Sequence, residues 1–174
     1  MDALQQFNLA VTKVMPRGDR LWRQRNEVWV SDALNVARAL AKSSGTVVFA
    51  DPPYTKDHYS RMYHVLETLY LYDYPDSRGV GRMRSDRFLS DFSYSARVRS
   101  AFRRLATEVV GAGAPLVISY PSRGLLASDQ LRQELEAAGQ VREIEFAVRH
   151  SSLGGSSGAS GNEAVEHLYR VDPR

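Results

Sequence analysis

An apolar run ends at two prolines in Thr46-Val-Val-Phe-Ala-Asp-Pro-Pro-Tyr54. The β-branched and aromatic residues over 46–50 predict a strand, and such a continuous apolar run is typical of a strand buried on both faces. Proline has no backbone N–H, so two prolines cannot continue a central strand and the chain must turn after Ala50. The turn is expected to present the Asp51 carboxylate, the Pro52 carbonyl and the Tyr54 ring at one edge of a sheet.

The flanking sequence alternates between strand and helix patterns. Strands are predicted over 27–30, 46–50, 115–120, 143–148 and 166–171, and apolar residues at helical spacing predict helices over 59–70, 98–109 and 131–135. This order predicts an α/β fold with parallel strands. The Gly/Ser-rich segment 153–162 reads as a long flexible loop, so the last two strands are expected to form an antiparallel hairpin at the sheet edge. Ligands in such sheets bind beyond the carboxyl ends of the strands.

The composition is that of one soluble domain. The 174 residues are 43% hydrophobic, include no cysteine and carry a formal net charge of +3. The absence of cysteine excludes a disulfide framework, a zinc ribbon and a thiol nucleophile. Neither a signal peptide nor a membrane-spanning run is found, which predicts a cytoplasmic protein without membrane contact. The small positive charge permits a nucleic-acid partner without requiring one.

The Asp51-Pro52-Pro53-Tyr54 motif allows two interpretations when taken alone. It can end a strand and cap the next helix with Tyr54 as core filler, or it can form a site that combines hydrogen-bond acceptors with a flat ring. In its wider context the chain resembles the Dam-like (alpha-group, Asp-Pro-Pro-Tyr motif) N6-adenine DNA methyltransferases. The likeness extends over 48–75, Ile118-Ser-Tyr-Pro-Ser-Arg-Gly-Leu125 and Val148-Arg-His-Ser-Ser-Leu-Gly154. A weaker match, Val28-Trp-Val-Ser-Asp-Ala33, resembles the family block whose acidic residue meets the adenine of S-adenosylmethionine.

The resemblance implies a fold and a reaction. The expected fold is a partial Rossmann-like class I S-adenosylmethionine-dependent methyltransferase sheet, with an N-terminal extension over 1–26, helical or partner-binding, and the catalytic portion over 27–174. Acceptors at Asp51 and Pro52 would bind the amino hydrogens of a flipped adenine that stacks on Tyr54. The implied site residues are Asp51, Pro52, Pro53 and Tyr54 for catalysis and Asp32, Ala33 and Asp51 for the cofactor. No metal is expected, because the four histidines lack ligand spacing.

Double-stranded DNA is the implied substrate. The Gly-containing loop with Arg78, Arg82, Arg84 and Arg87 is the best candidate for phosphate contacts, and the further DNA-contact candidates are Tyr54, Tyr59, Ser119 and Tyr120. For the arginines over 97–104, a solvated helix face is the simpler interpretation. The helical spacing of Tyr59, Tyr63 and Tyr70 likewise suits core or interface positions.

One element of the family pattern is missing. The strand ending in Phe-x-Gly-x-Gly, which cradles the amino-acid part of S-adenosylmethionine, is not found upstream of Asp51. Family members place that strand beside the one that ends at Asp51. We therefore predict one part of a split enzyme, completed by a second polypeptide that carries the glycine turn, in a modification or phage-defence system. The alternatives are a truncated or inactive pseudo-methyltransferase that binds nucleic acid or a partner, and an enzyme acting on RNA or on a small molecule.

Overall fold

The computed structural model describes residues 18–149 and 163–174, which form parts of two compact units, Met1–Ser31 and Asp32–Arg174. The Gly/Ser-rich segment 153–162 lies outside the described residues. Along the chain the elements are α1 (Arg20–Gln24), α2 (Ala33–Leu40), β1 (Val48–Ala50), α3 (Tyr59–Met62), α4 (His64–Leu71), β2 (Ser77–Arg78), β3 (Met83–Arg84), a 3₁₀ turn (Asp91–Ser93), α5 (Val98–Gly111), β4 (Leu116–Pro121), α6 (Ser128–Glu136), β5 (Gln140–Arg149) and β6 (Glu163–Asp172).

The strand predicted over 27–30 does not form. Within the described part of the first unit, α1 is the regular element, and the residues that follow it are irregular. Val28 is 93% exposed and Val30 is 102% exposed, so neither is packed. β-Branched residues favour extended backbone, but a strand also needs a partner for its ladder, and the described residues of this unit supply none. The prediction was wrong because strand pairing is not local.

The main sheet has four strands in the order β1-β4-β6-β5. β1 pairs parallel to β4, with Val48 opposite Leu116 and Ala50 opposite Ile118. β6 pairs antiparallel with both β4 and β5, so the predicted hairpin of the last two strands is confirmed, with β5 at the edge. The structure is a mixed α/β fold that combines parallel and antiparallel pairs. Because β1 and β4 are parallel, the chain leaves both of them at the same end of the sheet.

Three helices and one face of the sheet form the core. The predicted spacing on α5 is confirmed, because Val98, Phe102, Leu105 and Val109 are all buried. The Phe102 ring packs edge-on against Tyr120 of β4, with centroids 5.2 Å apart. α2 and α6 lie on either side of α5 and bury residues in the same cluster. α2 lies outside the helices predicted over 59–70, 98–109 and 131–135.

The opposite sheet face is largely uncovered among the described residues. Phe49 on β1 is 63% exposed and Ile144 on β5 is 62% exposed, and Phe146 is also exposed. β1 is an edge strand, and no described residue pairs with its outer side. An open edge beside an apolar face is the usual mark of a surface that another chain segment covers. No described helix has the length and apolar character needed to cross a membrane.

The segment between β1 and α5 differs from its prediction in two ways. The single helix expected over 59–70 is divided into α3 and α4, because Tyr63 leaves the helical region at φ −104° and ψ 10°. The loop expected to carry the basic residues contains a short antiparallel hairpin, β2–β3, closed by a bond from the Arg82 N–H to the Gly79 carbonyl of 3.1 Å. The hairpin was missed because each of its strands has only two residues.

Candidate functional site

The turn after β1 lies at the carboxyl end of the sheet, as predicted. Asp51 is exposed, whereas Pro52 and Pro53 are buried. The Leu125 N–H, in the loop that follows β4, donates to the Tyr54 carbonyl at 2.9 Å. This bond joins the two strand-end loops directly. The prolines anchor the turn, and the exposed Asp51 carboxylate lies near the Tyr59 hydroxyl and is accessible to a ligand.

Tyr54 is half-buried and packs against the core cluster. The side chain therefore contacts the core, while the residue keeps some exposed surface. The position is compatible with both interpretations of the motif, core filler and stacking platform. Holding one edge of an aromatic ring limits its rotation, which lowers the entropy lost when a ligand stacks on it.

Tyr59 contacts the motif from α3. Its hydroxyl donates to the Asp51 carbonyl oxygen at 3.1 Å. The pKa of Tyr59 is raised to about 12, chiefly by burial and in smaller part by the nearby Asp51 and Tyr54. The hydroxyl is therefore protonated at neutral pH and acts as a donor. Sequence reasoning grouped Tyr59 with the DNA-contact candidates; the structure shows its hydroxyl bound to the backbone of the motif.

Tyr120 lies in the core, which does not fit the expectation that it contacts DNA. It has no exposed surface, and its hydroxyl accepts a hydrogen bond from the Leu126 N–H at 3.0 Å. Gly124 lies against it, since a Cβ at that position would stand 2.3 Å from a Tyr120 ring carbon. Ser119, its neighbour, donates to the Glu166 carboxylate at 2.9 Å on the other sheet face. Strand alternation separates the two side chains.

Asp32 begins α2 as its N-cap. One carboxylate oxygen, Oδ1, accepts from the Leu34 N–H at 3.0 Å and from the Asn35 N–H at 3.3 Å. Ala33 is the first residue of the helix. The predicted strand before Asp32 is absent, so Asp32 does not follow a strand, although its second oxygen is without a partner among the described residues.

His58 and Ser60 fix the loop beside the motif, and sequence reasoning did not identify them. The buried His58 caps α3 through its Nδ1, which accepts from the Ser60 N–H at 3.1 Å. The Ser60 hydroxyl donates to the Phe88 carbonyl at 2.9 Å, and the His58 and Phe88 rings meet edge-on at 4.7 Å. Burial lowers the pKa of His58, which favours the neutral ring that the cap requires. Histidine is not among the favoured N-cap residues, so the sequence carried no signal for this role.

The four arginines of the predicted phosphate-contact loop divide into two kinds. Arg78, Arg82 and Arg87 are exposed and have no carboxylate partner among the described residues. Arg84 is only 5% exposed, and its guanidinium bonds to Asp73 and Asp86. Arg84 is therefore not available to a phosphate, because its donors already face two carboxylates.

The arginines of α5 form ion pairs on the helix surface, in agreement with the simpler interpretation of 97–104. Arg97 and Arg104 pair with Asp91, and Arg99 and Arg103 pair with Glu134 of α6. Glu134 is almost fully buried, and its pKa is held below the usual range chiefly by Arg103. These pairs connect α5 to its neighbours, with two arginines sharing each of the two carboxylates.

A small polar cluster on the β5–β6 hairpin consists of Glu143, Glu145 and His167. Their carboxylate oxygens and imidazole nitrogen, atoms that could bind a metal ion, lie within 4.8 Å of one another. His167 Nδ1 lies 2.8 Å from Glu143, and Nε2 lies 3.3 Å from the Ser128 hydroxyl. Arg132 also donates to Glu143, at 3.1 Å. The cluster arises from strand pairing, since Glu145 stands opposite His167. Groups of the protein itself bond to Glu143 and His167, whereas Glu145 is largely exposed and lies 3.6 Å from His167 Nδ1.

Comparison with known proteins finds one matching protein family and several similar proteins. Residues 22–110 match the model of the family described as D12 class N6 adenine-specific DNA methyltransferase. Among similar proteins, the modification methylase LlaI of Lactococcus lactis subsp. lactis is 31% identical over 97 residues, 56% of this chain and 15% of the relative. The type II methyltransferase M.FokI of Planomicrobium okeanokoites is 30% identical over 115 residues, 66% of this chain and 17% of the relative.

A third relative matches over more of its length. The type II methyltransferase M.NlaIII of Neisseria lactamica is 26% identical over 149 residues, 84% of this chain and 43% of the relative. The chain therefore spans less than half of each of these curated relatives. No solved structure matches the chain significantly.

Proposed function

This chain belongs to the D12 class N6 adenine-specific DNA methyltransferase family, and from that premise we propose that it is the catalytic portion of a split, S-adenosylmethionine-dependent DNA adenine N6-methyltransferase. The observation that carries the proposal is the Asp51-Pro52-Pro53-Tyr54 turn, with its exposed carboxylate, at the carboxyl end of a parallel pair of strands. The relatives' names, modification methylase and type II methyltransferase, support a role in DNA modification, and we propose a modification or phage-defence system as its setting.

The residues of the turn suit the chemistry of an exocyclic amine. The lone pair of the adenine N6 atom is delocalised into the ring, so the nitrogen is a poor nucleophile. Acceptors at the Asp51 carboxylate and the Pro52 carbonyl bind its two hydrogens and favour a pyramidal nitrogen. The accessible part of the Tyr54 ring stacks on the extruded base, which offsets part of the few kcal/mol that unstacking costs. Tyr59 holds the Asp51 backbone while this occurs.

The described residues include some of the groups needed to bind S-adenosylmethionine, the co-substrate that this family implies. S-adenosylmethionine, when bound, supplies the methyl group. The exposed Asp51 carboxylate and the second oxygen of Asp32, which has no partner among the described residues, are acceptors suited to amino groups. The described residues include no strand that ends in a Phe-x-Gly-x-Gly turn. We propose that the groups that hold the amino-acid part of the co-substrate lie outside the described residues, on a second polypeptide.

The open side of the sheet supports this second polypeptide. The outer edge of β1 offers backbone hydrogen bonds to a further parallel strand, and Phe49, Ile144 and Phe146 offer an apolar face to its helices. α4 adds another apolar surface, because none of its residues is buried. A partner that adds a strand beside β1 completes a Rossmann-like methyltransferase sheet and brings the glycine turn next to Asp51.

The assembled enzyme tests the proposal. We would co-express the chain with a neighbouring gene product that carries the glycine turn and measure transfer of tritiated methyl groups from S-adenosylmethionine to DNA. Asp51→Ala should lower turnover by roughly 100-fold or more, since the carboxylate serves the reacting nitrogen. It should leave assembly and melting temperature nearly unchanged, because Asp51 is exposed.

Asp129→Ala is the matched control, since Asp129 is an exposed carboxylate in the first turn of α6. Turnover near the wild-type value in Asp51→Ala contradicts the catalytic assignment. An assembled complex that binds DNA but transfers no methyl group supports the alternative, a pseudo-methyltransferase that acts by binding.

A further inference from the structure

Arg84 is a buried arginine at the base of a short hairpin. Its Nη1 and Nη2 atoms each donate to Asp73 at 2.7 Å, and its Nε and Nη2 atoms donate to Asp86 at 3.1 and 2.8 Å. Asp73 lies just after α4, Arg84 lies on β3, and Asp86 lies in the loop beyond. One guanidinium therefore fixes three separate stretches of backbone to one another.

The charges of Arg84, Asp73 and Asp86 stabilise one another. Hydrogen bonds from Arg84 hold the pKa of Asp73 and of Asp86 below the usual range of a carboxyl group. A buried guanidinium without its carboxylates is unfavourable. Apolar side chains of similar size would join the same segments at least as stably, so stability alone does not explain the ion pairs. The planar fork of arginine adds a fixed direction to each contact, which lysine does not supply.

The backbone around Arg84 is strained. Tyr72 at φ 51°, Tyr74 at φ 46° and Arg82 at φ 49° are the non-glycine residues with positive φ among those described, and all lie in one stretch. L-residues adopt this region rarely, and such conformations persist where surrounding contacts determine them. The bonds of Arg84, together with the bond from the Ser85 N–H to the Asp76 carbonyl at 2.8 Å, supply those contacts.

A continuous set of contacts connects this hairpin to the catalytic turn. The loop beyond Arg84 is held at the Phe88 carbonyl by Ser60 of α3. From the same helix, Tyr59 donates to the Asp51 carbonyl. The exposed Arg78, Arg82 and Arg87 are carried by the stretch that these contacts hold.

We infer that Arg84 is a positioning residue: without touching DNA, it holds the hairpin so that Arg78, Arg82 and Arg87 grip the phosphate backbone at a fixed distance from Asp51. The inference rests on the proposed function and assigns one of its parts. Phosphate contacts set the register of a protein on DNA, and a small displacement of a substrate from its reactive position lowers turnover steeply. Loss of Arg84 therefore affects turnover more than affinity.

The assembled enzyme separates a brace from a phosphate contact. Arg84→Lys keeps the charge but loses the fork, and should lower kcat by about tenfold or more with little change in the salt dependence of DNA binding. Arg78→Ala is the comparison. It should reduce the slope of log affinity against log salt by about one, a change that Arg84→Lys should not produce.

Asp73→Asn gives the sharpest contrast, because it removes a negative charge beside the hairpin. If Arg84 contacts phosphate, this variant binds DNA as well as or better than the wild type and keeps its turnover. If Arg84 is a brace, Asp73→Asn lowers kcat as Arg84→Lys does. Wild-type kcat in both variants below their melting temperatures, or an Arg78-like loss of salt dependence in Arg84→Lys, overturns the inference.

Amide hydrogen exchange tests the brace independently of activity. In the full chain, Arg84→Lys should speed exchange at the Arg82 and Ser85 amides by about tenfold or more while leaving the amides of α5 unchanged. Unchanged exchange at Arg82 and Ser85 overturns the inference. An inactive wild-type complex whose hairpin still loosens in Arg84→Lys contradicts the proposed methyltransferase function and leaves the structural role of Arg84 supported.

Discussion

The Tyr59 hydroxyl donates a hydrogen bond to the carbonyl oxygen of Asp51, at 3.1 Å. The two residues belong to different elements, since Asp51 follows β1 and Tyr59 begins α3. The bond closes the loop that carries the two prolines and Tyr54. A donor from a helix thus limits the freedom of the residue whose carboxylate is proposed to meet the substrate. The loop is held by its backbone, which leaves the Asp51 side chain free.

Tyr59→Phe is predicted to lower turnover by about three- to tenfold while reducing the melting temperature only slightly. The ring and its packing remain, and one hydrogen bond of about 1 kcal/mol is lost. Turnover and melting temperature of the assembled enzyme are the measurements. Tyr63→Phe is the matched control, because Tyr63 is an exposed tyrosine of the next turn. A turnover loss equal to that of Asp51→Ala would mean that the hydroxyl itself acts on the substrate.

The same tyrosine makes stability depend on alkaline pH. Its pKa is raised to about 12 in the folded chain from 10.0 when unfolded, chiefly by burial. Between these values the unfolded chain loses the proton first, so the stabilising contribution, complete below pH 10, is lost as pH rises toward 12. The melting temperatures of wild type and Tyr59→Phe should differ by a constant amount below pH 10 and should approach each other as the pH rises from 10 toward 12. Parallel curves across that window contradict the assignment.

Tyr54 is predicted to act through its ring and not through its hydroxyl. Tyr54→Phe should keep turnover within about twofold, whereas Tyr54→Ala should lose most of it, because stacking contributes about 1–3 kcal/mol per base. Tyr54→Ala also removes half-buried packing, so Tyr54→Leu is needed as a variant that retains apolar volume without a π face. Kinetics of all three below their melting temperatures decide the matter. Equal defects in Phe and Ala would indicate a hydrogen-bonding role.

Much of the sheet could be predicted from the sequence, because the apolar runs ending at Ala50 and at Tyr120 are typical of buried strands. The pattern also located the Asp51 turn, because two prolines leave few conformations. The hydrogen-bond and ion-pair partners of individual side chains could not be predicted in the same way. Arg84 and Arg78 look equivalent in one basic loop, and only the folded positions of Asp73 and Asp86 distinguish them. Tyr120 likewise lies in β4, within a segment that resembles the family, yet strand alternation directs its side chain into the core.

Gly124→Ala is predicted to destabilise the chain by about 1–3 kcal/mol, as overpacking usually does. Its Cβ would stand 2.3 to 2.5 Å from three atoms of Tyr120, whose ring is packed against Phe102 and whose hydroxyl accepts from Leu126. The displaced ring also shifts the loop that holds Tyr54. Gly111→Ala at the end of α5 is the control, since nothing lies within 4 Å of its Cβ. Equal melting temperatures for the two variants would contradict this packing.

Phe49→Glu is predicted to change the behaviour of the isolated chain and of the assembly in opposite directions. Phe49 lies on the uncovered sheet face, beside an edge that no described strand pairs with. A carboxylate there should reduce self-association of the isolated chain in sedimentation, because it interrupts an exposed apolar face and protects an open edge. The same charge should prevent co-purification with the chain that carries the glycine turn, since an obligate interface buries more than roughly 2,000 Å² with an apolar centre.

Val80→Glu is the control, as Val80 is a fully exposed apolar residue in the hairpin turn, away from the sheet. A wild-type chain that sediments as a monomer with a cooperative melt, and a Phe49→Glu variant that still assembles, would together remove the argument for a second polypeptide at this face.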